Sequence, residues 1–219
     1  MDDPLKQAKA KAAATYDAAA DHFDAARLLD RARTKAINYG LTNIEFRLAD
    51  MTALGYPDSR FDAVVSVFSI FFVPDIEGLV RELWRMVRPG GKLAVTTWGP
   101  RIFEPAYSRW LAAIKQERPD LHSAFNPWDR ITDVAAVKRL LLDCGVTSVE
   151  VTAEDGFQPL RSAEDWWIIA LGSGLRWTID QMGPKVAARV RADNIHWLGE
   201  NKVGSVETNA IYAIGHKPL

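Results

Sequence analysis

Two apolar runs separated by a helix-spaced stretch, between Phe61 and Trp98, limit this chain to a small set of folds. Phe61-Asp-Ala-Val-Val-Ser-Val-Phe68 is almost continuously apolar. That pattern belongs to a strand of a parallel sheet, covered by helices on both faces. After Pro74, Asp75 stands where a helix cap is needed, and Ile76, Leu79, Val80, Leu83, Trp84 and Val87 keep helical spacing. Pro89-Gly90-Gly91 ends the helix, and Lys92-Leu-Ala-Val-Thr-Thr-Trp98 reads as the next strand. Strand, helix and strand with short joints form a βαβ unit, which predicts an α/β fold with a mostly parallel central sheet.

The flanking segments extend this reading. Residues 5–39 are rich in Ala, Lys, Arg and Leu, so residues 1–42 are expected to be helical up to the stop at Gly40. Ile44, Phe46 and Leu48 then alternate with Glu45, Arg47 and Ala49, predicting a strand that ends at Asp50. Residues 99–130 break the alternation with several prolines and with Phe103, Trp110, Phe125 and Trp128, as a helical lid or cap would. Beyond it a helix through Val134, Val137, Leu140 and Leu141 is expected to end at Cys144-Gly145, with a strand near Val146 to Ala153. Ser162-Ala-Glu-Asp165 has the form of a capping box, Pro184 suits the first turn of a further helix, and Thr208 to His216 reads as a final, antiparallel strand. A single domain over residues 1–219 is the expected organisation.

Charge and cysteine content narrow the partners. A formal charge of −1 gives no electrostatic reason to expect nucleic acid or an anionic membrane. The longest apolar stretch, Ala63 to Val73, is far shorter than the roughly 20 residues of a membrane span. Cys144 is the only cysteine, which excludes an internal disulfide and points to a reducing, cytoplasmic setting.

Four segments in order, Asn43-Ile-Glu-Phe-Arg-Leu-Ala-Asp50, Ser59 to Ser66, Glu82-Leu-Trp-Arg-Met-Val-Arg-Pro-Gly-Gly91 and Lys92 to Trp98, together resemble the class I S-adenosylmethionine-dependent methyltransferases. They are close to the ubiquinone/menaquinone-biosynthesis type. The resemblance implies a Rossmann-like fold and S-adenosyl-L-methionine as cofactor. It places Asp50 and Met51 at the adenine, and Phe68 and Ser69 near the methionine part and the substrate. Tyr16, in the N-terminal helix that covers the cofactor in that family, would face the sulfonium. A turn-capping acid also explains Asp50, plain core also explains Phe68, and an Ala-rich amphipathic helix also explains Tyr16.

The family's glycine-rich cofactor loop is missing from its expected place. Its strand, turn and helix need 30 or more residues, yet the stretch before the Asp50 strand has one glycine, Gly40, and is occupied by helical patterns. The first two strands of the usual sheet therefore have no sequence to come from. Either the loop is deleted, or a segment is absent from the sequence in hand. A homodimer is one way to cover the surface that such a gap exposes.

Methyl transfer from a sulfonium is an in-line displacement that needs positioning and water exclusion more than special catalytic groups. His22, His122 and His196 have the pKa range of a general base, and His22 is the one assigned that role. Phe72, Trp98 and Trp128 are the expected lining for a small, apolar or aromatic methyl acceptor, Trp98 because it ends a strand at the sheet's carboxyl edge. Two readings compete with this one. In the first the chain is a non-catalytic methyltransferase relic serving as a dimerisation or binding module. In the second it is a nicotinamide enzyme, a reading weakened by the missing phosphate-binding glycine loop. No metal site is expected.

Overall fold

The computed structural model describes residues 25–122 and 127–219. The elements run α1 (Ala25–Asn38), β1 (Phe61–Val67), α2 (Ile76–Met86), β2 (Val87–Trp98), α3 (Ala106–Glu117), α4 (Val134–Asp143), β3 (Val149–Glu154), β4 (Phe157–Pro159), α5 (Glu164–Leu171), α6 (Arg176–Glu200), β5 (Ser205–Glu207) and β6 (Ala210–His216). The main sheet has the order β1-β2-β6-β3, and β4 pairs with β5 in a separate ribbon. β1 and β2 are parallel, while β6 runs antiparallel to both β2 and β3. β3 therefore points the same way as β1 and β2, and the expected sheet with an antiparallel last strand is present.

The central unit forms for the reasons visible in its residues. Asp75 caps α2 by accepting from the Gly78 amide, and Ile76, Leu79, Val80, Leu83 and Met86 are all buried. With Leu93, Val95, Ile211 and Ala213 from the sheet and Val137 and Leu141 from α4, they make one continuous core. Each buried Val, Leu, Ile or Met among them contributes roughly 1.5–3 kcal/mol by leaving water. Arg85, on the outer side of α2, holds the preceding segment in place by donating to Glu82, to Asp58 and to the Tyr56 carbonyl.

A second apolar cluster joins Tyr107, Trp110 and Ile114 of α3 to Trp166 and Trp167 of α5 and to Ile179, Val190 and Leu198 of α6. Residues 99–130 thus do supply a helical element, α3, which packs on α5 and α6. Gly183, at φ 72°, breaks α6 into two helical segments, and Pro184 opens the second. That φ lies in the left-handed region where glycine carries no Cβ penalty, and Pro at a first helical position wastes no hydrogen bond.

Three expectations are corrected. The alternating segment Asn43–Asp50 forms no strand; residues 41–50 are irregular and mostly exposed. A strand needs a partner, and no described strand pairs with this segment. β1 is not covered on both faces either, because Ala63, Val65 and Val67 all point to solvent. Finally, Ser162 does not cap α5, which lacks a side-chain cap; Asp165 instead accepts from the Arg161 amide. Among the described residues no helix is long and apolar enough to cross a membrane.

Candidate active site

The carboxyl ends of β1 and β2 carry the chemistry that this fold offers. β1 stops when Phe68 turns into the left-handed region at φ 48°, its amide still donating to the Thr96 carbonyl at 2.9 Å. That turn aims the Phe68 ring sideways onto Trp98, at the end of β2, with ring centroids 4.1 Å apart and planes 27° from parallel. Both rings are half-buried. Beneath them the hydroxyls of Ser66 and Ser69 share a hydrogen bond of 2.7 Å.

The aromatic surface continues in two directions. Phe103 lies 6.1 Å from Trp98 and 6.0 Å from Trp166, linking the sheet edge to the helical cluster. Phe71 connects Phe72, at 4.4 Å, with Trp128, at 6.0 Å. Phe68, Arg101 and Phe103 all have positive φ without being glycine. Strained residues of this kind persist only where their surroundings hold them, and they gather at functional sites.

What holds the loop after β2 is a polar knot on the far side. The Gly99 amide donates to the Asn209 carbonyl at 2.7 Å, and the Phe103 amide to the Glu207 carbonyl at 2.7 Å. The Asn209 side chain donates to Pro100 and to the Glu207 carboxylate, both at 2.9 Å, and accepts from the Gly156 amide at 3.0 Å. Arg101 forks onto the same carboxylate. The Arg101 hydrogen bond holds the Glu207 carboxyl below its ordinary range, against the opposing effect of partial burial and with help from Asn209. Asn209, Glu207 and Phe103 were not among the candidates read from the sequence. Their partners lie about a hundred residues away, and no local pattern marks them.

The sequence candidates fare differently. Phe68, Ser69 and Trp98 are brought together at the sheet edge, and Phe72 and Trp128 meet through Phe71. Asp50 sits in exposed coil, where its Oδ1 accepts from both the amide and the hydroxyl of Thr52, at 2.8 and 2.7 Å. These bonds, the backbone one foremost, lower its pKa. Met51 packs against the main core. Tyr16 and His22 lie outside the described residues. His196 is exposed on α6 beside Glu200, at 3.2 Å. Among the described residues no group of three His, Cys, Asp or Glu side chains could hold a metal ion.

Comparison with known proteins agrees with this architecture. Residues 8–95 match the model of a methyltransferase domain family. That match covers less than half of the chain, and it agrees with the resemblance to the class I S-adenosylmethionine-dependent methyltransferases. It is 34% identical over 126 residues to an uncharacterized protein of Mycobacterium tuberculosis, a match covering 56% of this chain and 43% of that protein. It is also 35% identical over 79 residues to the ubiquinone/menaquinone biosynthesis C-methyltransferase UbiE of Cronobacter sakazakii, covering 36% of this chain and 32% of UbiE. The chain thus spans less than half the length of these curated relatives. The fold is shared with the YcgJ protein of Bacillus subtilis, at a TM-score of 0.55 and 14% identity over 88% of this chain and 79% of that one. It is shared as well with BH2331 of Bacillus halodurans, assigned as a methyltransferase, at 0.52 and 17% over 87% and 79%.

Proposed function

We propose that this methyltransferase-family chain transfers a methyl group from S-adenosyl-L-methionine to a small apolar or aromatic acceptor held against Phe68 and Trp98. The stacked, half-buried pair at the carboxyl edge is the observation that carries the reading, since open α/β sheets bind ligands at that edge. An electron-rich ring face there also suits a sulfonium.

The residues present fit the cofactor in part. Asp50 is ionised and keeps both Thr52 bonds on Oδ1, so Oδ2 is the oxygen offered to an adenine amine. Met51 is the adjoining backbone contact, and Phe68 and Ser69 line the methionine part. When bound, the cofactor supplies an electrophilic methyl group on its sulfonium. Phe72, Trp98 and Trp128 orient the acceptor and exclude water. Tyr16 and His22, both outside the described residues, are the candidates for facing the sulfonium and for taking the acceptor's proton where the nucleophile is a hydroxyl or an amine.

The setting is cytoplasmic, a reading supported by Cys144 as a buried free thiol whose pKa burial pushes up. The chain acts as a homodimer, a reading supported by the uncovered sheet face at β1. One observation favours a second reading, a non-catalytic binding module: the strand that should present Asp50 is not formed. Titration calorimetry with S-adenosylhomocysteine separates the two. The enzyme reading expects binding that Asp50→Ala weakens by about 1–3 kcal/mol. Absence of heat at millimolar ligand would establish the binding module instead.

A further inference from the structure

Among the described residues no helix packs on one face of the main sheet, and register defines that face. Direct partners across the strands place Val65, Ala94, Ile214 and Glu150 in one row and Val67, Thr96, Tyr212 and Thr152 in the next. α2 and α4 pack on the opposite face. On the bare face Val65 is 62% exposed, Val67 60%, Tyr212 41% and Ile214 40%. Parallel sheets in α/β folds are normally covered on both sides, so these rows need a partner. The apolar part lies on β1 and β6, and Glu150 and Glu154 of β3 form an exposed acidic margin.

Helix α1 has the complementary surface. Leu28, Arg31, Lys35 and, one residue past its end, Tyr39 follow helical spacing on one side, all exposed. That stripe carries Leu28 and Tyr39 at its two ends with the basic Arg31 and Lys35 between them, against an apolar surface with an acidic margin. Lengths agree too: 14 residues of helix span about 21 Å, and the seven residues of β6 about 23 Å. A helix laid along β6 puts the arms of Arg31 and Lys35 within reach of β3, one strand spacing of about 4.8 Å away.

We infer that α1 of a second copy covers this face, with Leu28 and Tyr39 on the Val65, Val67, Tyr212 and Ile214 rows and Arg31 and Lys35 against Glu150 and Glu154. The inference rests on the homodimer reading above and assigns its surfaces. The chain's own α1 leaves its strip exposed, so the exchange is reciprocal and each copy both gives and receives a helix. Two bare sheets facing each other are the poorer arrangement. A two-fold axis across the strands sets Glu150 and Glu154 against their own copies, and one along the strands sets them against Val65 and Val67.

Opposite charge reversals test the pairing in trans. One variant carries Arg31→Glu with Lys35→Glu, the other Glu150→Lys with Glu154→Lys, all at exposed positions. Each variant alone should self-associate at least tenfold more weakly than the native chain in analytical ultracentrifugation. An equimolar mixture should restore a two-chain species, because both interfaces of the mixed dimer pair opposite charges. If both variants still form homodimers as readily as the native chain, the dimer stands and these surfaces are wrong. If the native chain is monomeric throughout, the dimer and its surfaces fall together. If mixing restores nothing to two monomeric variants that keep native circular dichroism, the pairing of α1 with β3 is refuted.

Discussion

Asn194→Leu tests how the helical cluster beside the site is held. Asn194 and Trp166 are both fully buried, and the indole Nε1 donates to the Asn194 Oδ1 at 3.0 Å. The amide's other end has only a 3.5 Å approach to Asp193, so the indole bond is its main anchor. Leucine is the closest apolar shape and leaves the indole N–H buried without an acceptor, costing about 1–3 kcal/mol. Trp166→Phe removes the donor instead. It strands the amide oxygen and gives up ring volume, for about 2–4 kcal/mol. A domain of this kind has roughly 5–15 kcal/mol in total, so either change is measurable by urea denaturation followed by circular dichroism. The double variant has neither polar group left unpaired, and its cost should fall below the sum of the two by at least about 1 kcal/mol. Additivity to within about 0.5 kcal/mol would refute the claim that this bond, rather than packing alone, joins α5 to α6.

Two further predictions concern the sheet and its edge loop. In Gly91→Ala the new Cβ would meet the Asp62 carbonyl at 2.7 Å and Val87 Cγ1 at 2.8 Å. Thermal denaturation should show a loss of about 1–3 kcal/mol from this overpacking, and an unchanged melting temperature would mean that the start of β2 is looser than described. Glu207 has a lowered folded pKa, so its contribution is present above its ordinary value near 4.5 and disappears as pH falls through the folded one. Native chain and Glu207→Gln should therefore differ in stability at pH 7 and converge in acid, and 1 M salt should shrink the difference because Arg101 is largely exposed. A gap that stays constant from pH 7 to pH 3 would show that the carboxylate charge is irrelevant there.

Some of the fold was legible because its cause is local. The α2 cap at Asp75 and the apolar spacing behind it are contained within one short stretch and appear where expected, whereas the helix stops at Met86, and both Val87 and the Pro89-Gly90-Gly91 stop fall inside β2. Trp98 was proposed from its position at a strand end and Phe68 from the family resemblance, and the two rings stack. The alternation of Asn43–Asp50 was equally clear, yet it produced coil. Alternation records which residues could line a sheet face, whereas a strand exists only when another backbone pairs with it. The Ser162 box failed for a related reason, since Asp165 found a nearer donor in the Arg161 amide.

The sequence by itself therefore determined the βαβ unit and the aromatic character of the sheet edge, both of which follow from spacing within one stretch of chain. Only the tertiary structure decided the Asn209 knot that shapes the loop after β2, the bond between Trp166 and Asn194, and the bare face beside β1. Each of these depends on residues far apart in the chain meeting, or failing to meet, and local propensity carries no record of that.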